Sequence, residues 1–189
     1  MIKSNMETTM VVIQNRRRKI ENIKKDYPNA VIIDITSKGK MPMVKFSPFY
    51  PIGNIPIPFS PNKYSQSVEG IWQGLKVFEN HDVDDSKFEI TSMKGLKRTV
   101  RKFGIPKGHR KGVNGKELLD YITARKLIYL PVYKWVLDNH LEKEINELKN
   151  LSKNRTLILL DYETNGDIEN PQKPLSHAQL VKMRLDGKL

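Results

Sequence analysis

The stretch SVEGIWQGLKVF, residues 67–78, carries three polar side chains whose spacing suits chemistry. Glu69, Gln73 and Lys76 recur at helical intervals, so on a helix they are neighbours along one arc. A carboxylate held against an apolar wall can have a raised pKa and can donate or accept a proton. On spacing alone, however, an ordinary ladder of surface charges is the simpler interpretation of these residues.

The segment before this helix favours a pocket over a surface ladder. Residues 41–62 contain six prolines among apolar side chains that include Phe46, Phe49 and Tyr50. Proline interrupts helices and strand ladders, yet so many apolar residues are unusual in a free linker. We therefore predict an ordered loop with short extended pieces, packed on the domain. An aromatic, proline-rich wall beside Glu69 suits a planar ligand.

Hydrophobic spacing predicts the elements that must position this pocket. A β-branched run predicts a buried strand at 30–35 and an apolar run predicts a second one at 155–162. Pro131 should kink or split a long helical stretch near Tyr129. Two or more strands with several helices around them predict a mostly helical α+β fold in one domain, residues 1–189. The predicted helices are 16–25, 68–78 (Val68, Ile71, Trp72, Leu75 and Phe78 inward), 92–103 (Met93, Leu96, Val100 and Phe103 inward), 116–151, and a last helix capped by Ser176.

The composition limits the classes of function. Charged residues make up 29% and hydrophobic residues 38% of the chain, a globular balance, and no apolar run is long enough to cross a membrane. The chain has no cysteine, which excludes disulfides and thiolate nucleophiles and suits a cytoplasmic protein. Its four histidines lack metal-ligand spacing, so we expect no metal site. The net charge of +12 suits an anionic partner, either a nucleic acid or a phosphorylated ligand, although many basic proteins bind neither specifically.

One segment concentrates this positive charge. Residues 94–111 contain eight lysines and arginines and no acid. On the predicted helix, Lys97, Arg98 and Arg101 share the face opposite the apolar one, and Arg110 follows in the next segment. Clustered ammonium and guanidinium groups suit phosphates of a ligand or a nucleic acid, but a solvated helix face explains the same pattern.

Acidic residues cluster where the second predicted strand ends. Asp161, Glu163 and Asp167 lie at this end and just after it, and strand ends often carry catalytic side chains. Two carboxylates beside a glycosidic carbon can stabilise an oxocarbenium-like transition state and activate water. A turn rich in Asp, Asn and Gly explains the same residues without any function.

The segment KFSPFYP…IPFSPNKYSQSVEGIWQGLKVF resembles the signature of the NADAR (NAD- and ADP-ribose-associated) superfamily. The resemblance spans about residues 45–167 and is specific over 46–78, and Gly70 stands where the family often has a histidine. The residues that carry it are Ser47, Phe49, Tyr64, Ser67, Glu69, Gln73 and Lys76, followed by Asp120, Tyr121, Arg125, Lys134, Trp135, Asp161 and Asp167.

The resemblance implies a NADAR-like core over about residues 30–170, with the first and last helices as extensions. It implies hydrolysis of an N-glycosidic bond in an ADP-ribosyl-guanine or in another ribosyl-phosphate substrate, without a cofactor. The alternatives are a non-catalytic module that binds ADP-ribose or a nucleotide, and a basic nucleic-acid-binding protein.

The resemblance also implies roles for individual residues. Glu69 is the leading catalytic carboxylate, with Asp161 and Asp167 as further candidates. Lys38 or Lys45 is the candidate amine for a Schiff base with opened ribose. The implied ligand contacts come from Phe46, Ser47, Phe49, Tyr50, Tyr64, Trp72, Gln73, Lys76 and Arg125.

Overall fold

Residues 10–189 are described by a computed structural model of the protein, and residues 1–9 of the predicted domain lie outside the described part. The described chain has an α+β architecture in which helices surround three small sheets. In chain order the elements are β1 (Val11–Asn15), α1 (Ile20–Asp26), β2 (Val31–Asp34), β3 (Ile55–Pro56), β4 (Tyr64–Ser65), α2 (Val68–Gly74), β5 (Lys76–Phe78), α3 (Val100–Phe103), β6 (Pro106–Arg110), β7 (Leu118–Leu119), α4 (Tyr121–Ala124), α5 (Leu130–His140), α6 (Glu142–Asn154), β8 (Leu157–Asp161) and α7 (His177–Leu185).

A parallel three-stranded sheet, in the order β1-β8-β2, lies at the centre of the fold. Every residue of β8 is buried, as expected of an apolar strand that is covered on both faces, and α6 and α7 pack on it. Because the three strands are parallel, their last residues, Asn15, Asp34 and Asp161, meet at one edge of the sheet.

The structure confirms the two predicted strands and corrects the predicted helix over 16–25. Ile13 lies in β1, and the helix runs only from Ile20 to Asp26. The β-branched run before it pairs with β8 and buries Val11 in the main core. Strand pairing therefore decides the conformation of residues 11–15, which none of the predicted strands includes.

The helix predicted over 68–78 is correct at its start and wrong at its end. Ser67 caps α2 by accepting a hydrogen bond from the backbone N–H of Gly70 at 3.0 Å. The helix ends at Gly74, and Lys76–Phe78 pairs with β6 instead. Lys76 is therefore not on the helical arc that carries Glu69.

The helix predicted over 92–103 is wrong over most of its length, because only Val100–Phe103 is helical. Gly95 has a φ of 75°, a left-handed conformation that interrupts a helix. The backbone N–H of Arg98 donates to Oε1 of Gln73 at 3.0 Å rather than to a helical carbonyl. Leu96 is buried as predicted, whereas Val100 is 58% exposed.

The long helical stretch predicted over 116–151 is wrong at its start, where Leu118–Leu119 forms β7, and the rest is divided among α4, α5 and α6. Asp120 caps α4, and a π-helical turn over Arg125–Tyr129 leads into α5, which has Pro131 in its first turn. The backbone stays helical through Tyr129, so the predicted kink or split corresponds only to the change from π-helix to α-helix at Leu130, whereas a break at Leu141 separates α5 from α6. Since π-helical turns are frequent at functional sites, the side chain of Tyr129 is of particular interest.

The proline-rich loop over 41–62 is ordered, as predicted. Phe46 and Ile55 are fully buried in the main core, and β3 pairs with β4 in a short ribbon. The last helix also agrees with its prediction, because the side chain of Ser176 caps α7. Among residues 10–189, no helix has the length and apolar character needed to cross a membrane.

Candidate active site

A cavity of about 680 Å³ opens between the carboxyl edge of the parallel sheet and the wall formed by α2 and β5. The π-helical turn contributes Tyr129 to its lining, and the polar loop before α7 contributes Pro174 and Leu175. The predicted site residues that line this cavity are Ser47, Phe49, Glu69, Trp72, Gln73, Lys76, Lys97, Arg98, Arg125 and Asp161.

Glu69 lies in the first turn of α2 and is only 7% exposed. Its backbone N–H donates to the carbonyl of Pro48 at 2.8 Å, which fixes the proline-rich loop to the start of the helix. Its Oε1 accepts from Nε2 of Gln73 at 2.8 Å. Burial raises the pKa of Glu69, although this hydrogen bond and the charges of Lys76 and Lys97 act in the opposite direction. The carboxyl group can therefore hold a proton inside the cavity.

Gly70, at the position where the resembled family often has a histidine, does not line the cavity. A Cβ at this position would lie 2.7 Å from the carbonyl oxygen of Lys87 and 2.8 Å from Oγ of Ser65. The close packing of α2 against this backbone leaves no space for a side chain. Chemistry at Glu69 must therefore use other neighbours.

Trp72 forms an aromatic wall of the cavity, and its ring packs on His109, which does not line the cavity. Its ring lies 3.8 Å from the ring of His109, centroid to centroid, at an angle of 30°. Burial lowers the pKa of His109 to about 3, so this imidazole is neutral at physiological pH. On the same side, burial lowers the pKa of Lys76 while the charge of Glu69 opposes this effect.

Arg98 does not present its charge to a ligand, which corrects the predicted basic helix face. The residue is 5% exposed, and its guanidinium donates to the carbonyl oxygens of Gln73, Lys76 and Asp82 at 3.2, 2.6 and 2.9 Å. It joins the end of α2 to β5 and to the segment after it. The neighbouring Lys97 is exposed, so the two adjacent cations have different environments.

The variant Arg98→Gln is expected to lower the free energy of unfolding by about 3 kcal/mol, because the shorter side chain leaves buried carbonyls without donors. Lys97→Gln removes the same charge from an exposed neighbour and should stay within about 0.5 kcal/mol of the wild type. Urea unfolding of both variants measures the difference. Equal stability of the two variants would contradict the structural role of Arg98.

Arg125 is also a structural residue, although it lines the cavity. It is 1% exposed, and its guanidinium donates to the carbonyls of Ile168, Asn170 and Lys173 at 2.7, 3.0 and 3.0 Å. The same group takes the hydroxyl of Tyr121 as an acceptor at 2.9 Å. Arg125 therefore fixes the polar loop before α7 as a wall of the cavity.

Asp161 ends β8 and is held at the N-terminus of α7. Its Oδ2 accepts from Oγ of Ser176 at 2.7 Å and from the backbone N–H of Ala178 at 3.2 Å, and it lies 3.0 Å from Nδ1 of His177. Its Oδ1 accepts from the backbone N–H of Tyr162 at 2.7 Å. With both oxygens occupied, this carboxylate positions α7 against the sheet.

His177 carries a positive charge in this arrangement. Nε2 lies 3.0 Å from the carbonyl oxygen of Ile35 while Nδ1 faces Asp161, so both ring nitrogens must donate. Burial lowers the pKa of His177, but the charge and hydrogen bond of Asp161 outweigh this effect and the net pKa is raised. For Asp161, burial raises the pKa, but His177, Ser176 and Ala178 outweigh it and the net pKa is lowered.

Other residues predicted for the site lie outside the cavity. Phe46 is in the core and Tyr133 donates to its carbonyl at 2.6 Å, while Lys45 pairs with the buried Glu144 at 2.8 Å. Tyr64 is 54% exposed on β4. Tyr50 also lies outside the cavity, as do three exposed residues, Lys38, Arg101 and Asp167. Arg110 pairs with Asp82 at 2.6 Å.

Sequence reasoning missed several residues that line the cavity. Arg17 and Ser37 follow β1 and β2 at the carboxyl edge of the sheet, and the missed first strand hid their proximity. His177 was missed because helical spacing marks it only as the first residue of α7. Tyr129 had a usable signal, since it precedes the helix break that Pro131 predicts.

Among curated proteins, no sequence matches this chain. A family model matches residues 15–181, which include every residue that lines the cavity. On this match, the chain belongs to a family of unknown function (DUF6939).

Proposed function

We propose that the protein hydrolyses an N-glycosidic bond in an ADP-ribosyl or ribosyl-phosphate substrate. The observation that carries this proposal is Glu69, a buried carboxyl group with a raised pKa on the wall of a large cavity. Such a group can hold a proton and give it to the leaving nitrogen, as the cleavage of a C1–N bond requires. The resemblance to the NADAR superfamily supports the same reaction.

Glu69 can serve as both the acid and the base of this reaction. The C1–N bond breaks, its electron pair passes to the base nitrogen, and the carboxyl group of Glu69 gives that nitrogen its proton. The carboxylate that remains stabilises the positive charge at C1. Water then attacks C1 and returns its proton to Glu69, leaving a free base and a ribose with a hydroxyl at C1.

The walls of the cavity suit both parts of such a substrate. The rings of Phe49, Trp72 and Tyr129 line it and offer surfaces on which a planar base can stack. Lys76 and Lys97 line the same cavity near Glu69 and can contact phosphates. Its volume of about 680 Å³ is within the range of about 300–1,000 Å³ that is usual for small-molecule sites. We also propose a cytoplasmic location, which the absence of cysteine supports.

A binding module is the second candidate, and the saturation of Asp161 favours it. Because both oxygens of Asp161 accept hydrogen bonds from the protein, this residue offers no second free carboxylate for activating water. In this alternative the cavity binds ADP-ribose or a nucleotide without turnover.

Calorimetry with ADP-ribose, run beside a turnover assay on ADP-ribosyl-guanine and phosphoribosyl N-glycosides, separates the two candidates. A hydrolase should bind ADP-ribose and release free base from at least one of these substrates. Binding without release from any of them would favour the module. Absence of both binding and release would contradict both candidates.

Nucleic-acid binding by the exposed cations of 94–111 stays a prediction with its own test. Arg98 is buried and does not contribute to such a surface, but Lys97 and Arg101 are exposed. Affinity for a DNA or RNA oligonucleotide should then fall steeply as salt is raised. No affinity at low salt would remove this function.

A further inference from the structure

Besides Arg125, which lies over Tyr121 but gives its donors to backbone carbonyls, three cations that line the cavity each lie over an aromatic ring that also lines it. Among the described residues none of the three has a carboxylate within ion-pair distance, whereas many other cations of the chain do. A cation over a ring keeps its donors available to a ligand while its position is fixed. The pairs are Lys76 over Trp72 at 6.0 Å, Lys97 over Phe49 at 5.4 Å and Arg17 over Tyr162 at 5.1 Å.

Arg17 lies on a different wall from the two lysines. It follows β1 at the carboxyl edge of the parallel sheet, whereas Lys76 is in β5 and Lys97 precedes α3. The adjacent arginines are occupied, because Arg16 pairs with Asp34 at 2.8 Å and Arg18 pairs with Asp26. Within the described chain, Arg17 is therefore the arginine of this loop that is free to bind an anion.

The backbone around Arg17 is fixed before any ligand binds. Oδ1 of Asn15 accepts from the backbone N–H of Arg17 at 2.9 Å, and Nδ2 of Asn15 donates to the carbonyl of Tyr162 at 2.8 Å. The backbone N–H of Arg16 donates to the carbonyl of Asp161 at 2.8 Å. These bonds join the ends of β1 and β8, so the guanidinium and the phenol ring are held together.

Two further groups at this edge have no hydrogen-bond partner in the part of the chain that the structure describes. Ser37, after β2, has a free hydroxyl and a free backbone N–H, and Glu163, after β8, has a free carboxylate. Both line the cavity with Arg17. The edge therefore offers donors from Arg17 and Ser37 and an acceptor from Glu163, and this set suits a sugar that carries a phosphate.

We propose that this edge is a second subsite, for a phosphorylated ribose. Arg17 and Ser37 donate to the phosphate oxygens, and the Glu163 carboxylate accepts from ribose hydroxyls, as acidic residues at strand ends do in nucleotide-binding sheets. The subsite rests on the proposed function for its role in catalysis. Within that function it selects a substrate with a second ribosyl phosphate beyond the reacting one, and hence an ADP-ribosyl compound over a single ribosyl phosphate.

Amide spectra titrated with ribose 5-phosphate test the subsite without catalysis. The amides of Ser37 and Glu163 should shift saturably in the wild type. Arg17→Gln should weaken the affinity about tenfold, as expected for loss of a charge-assisted contact, whereas the matched control Arg18→Gln should leave it unchanged. Glu163→Gln should lower the affinity for ribose 5-phosphate more than the affinity for inorganic phosphate, because only the sugar offers hydroxyls to the carboxylate.

The subsite is overturned if no saturable shift appears at these amides, or if Arg17→Gln and Arg18→Gln have the same affinity. Equal affinity of the wild type for ribose 5-phosphate and inorganic phosphate would overturn the role of Glu163 and the ribose. Saturable shifts in a protein that releases no base from any substrate would overturn the hydrolase and leave the subsite standing.

Discussion

Glu69→Gln is expected to lower the rate of base release about 10³-fold, in the range that general acid catalysis contributes, while ADP-ribose still binds. The amide cannot donate a proton to the leaving nitrogen, but its oxygen can still accept the hydrogen bond from Gln73 that Glu69 accepts now. Rates from product chromatography and affinities from calorimetry measure the two effects separately.

Glu69→Gln should not lower the stability of the folded protein. A carboxyl group whose pKa is raised by burial destabilises the folded state as pH rises above its ordinary value of 4.5, so the neutral amide removes a cost at neutral pH. Catalysis by the wild type should fall as pH rises through the raised pKa of Glu69, because the proton donor is lost. Glu79→Gln changes the same charge at an exposed position and should keep the full rate. Full activity of Glu69→Gln would remove this residue from the chemistry.

Asp161→Asn is expected to give the largest loss of stability, about 3–5 kcal/mol, because it leaves the buried cation of His177 without its counter-charge. Asp161 and His177 are only 4% and 7% exposed, and the variant also disturbs the acceptor that Ser176 and Ala178 use. Thermal or urea unfolding near pH 6 measures the effect. Asp167→Asn, an exposed change in the following loop, should stay within about 0.5 kcal/mol of the wild type.

The pair also sets a pH window for stability. The raised pKa of His177 gives a contribution that is complete below pH 6.5 and is lost as pH rises through the folded value. The lowered pKa of Asp161 gives a contribution that is present above pH 3.8 and is lost as pH falls through the folded value. The pair should therefore contribute most to the free energy of unfolding between these two pH limits. In Asp161→Asn the free energy of unfolding should depend less on pH. A loss of less than about 1 kcal/mol near pH 6 would contradict a charged pair.

The sequence was sufficient for the elements whose signals are local. A β-branched run predicted β2, an apolar run predicted β8, Ser176 predicted the cap of the last helix, and Pro131 predicted a disturbance of the helix near Tyr129. Each of these signals comes from the conformational preference of a few adjacent residues, which the fold retains.

The sequence was insufficient where tertiary contacts decide the conformation. The spacing of Leu96 and its neighbours favoured a helix, but Arg98 gives its backbone N–H to Gln73 and its guanidinium to carbonyls of another segment. The ligand contact that the resemblance implied for Arg125 did not take into account that the loop over 167–173 occupies its donors. A charged side chain in a sequence does not show whether its partner is a ligand or the backbone.

The candidate site was predictable only where its contacts are local in the sequence. Glu69 and Gln73 are four residues apart in one helix, so their contact follows from local geometry. The carboxyl edge of the sheet brings Arg17, Ser37 and Glu163 to the same cavity from three distant segments, and one missed strand was enough to hide it.

A single turnover in ¹⁸O-labelled water tests the central claim most directly. Excess protein is mixed with ADP-ribosyl-guanine, the reaction is quenched rapidly, and the products are analysed by mass spectrometry beside ADP-ribose kept in the same water. Hydrolysis at C1 predicts equal amounts of base product and ADP-ribose, with one ¹⁸O atom in the sugar and none in the base. Recovery of intact substrate, or a sugar product labelled no more than the ADP-ribose control, would contradict the claim that this cavity hydrolyses an N-glycosidic bond.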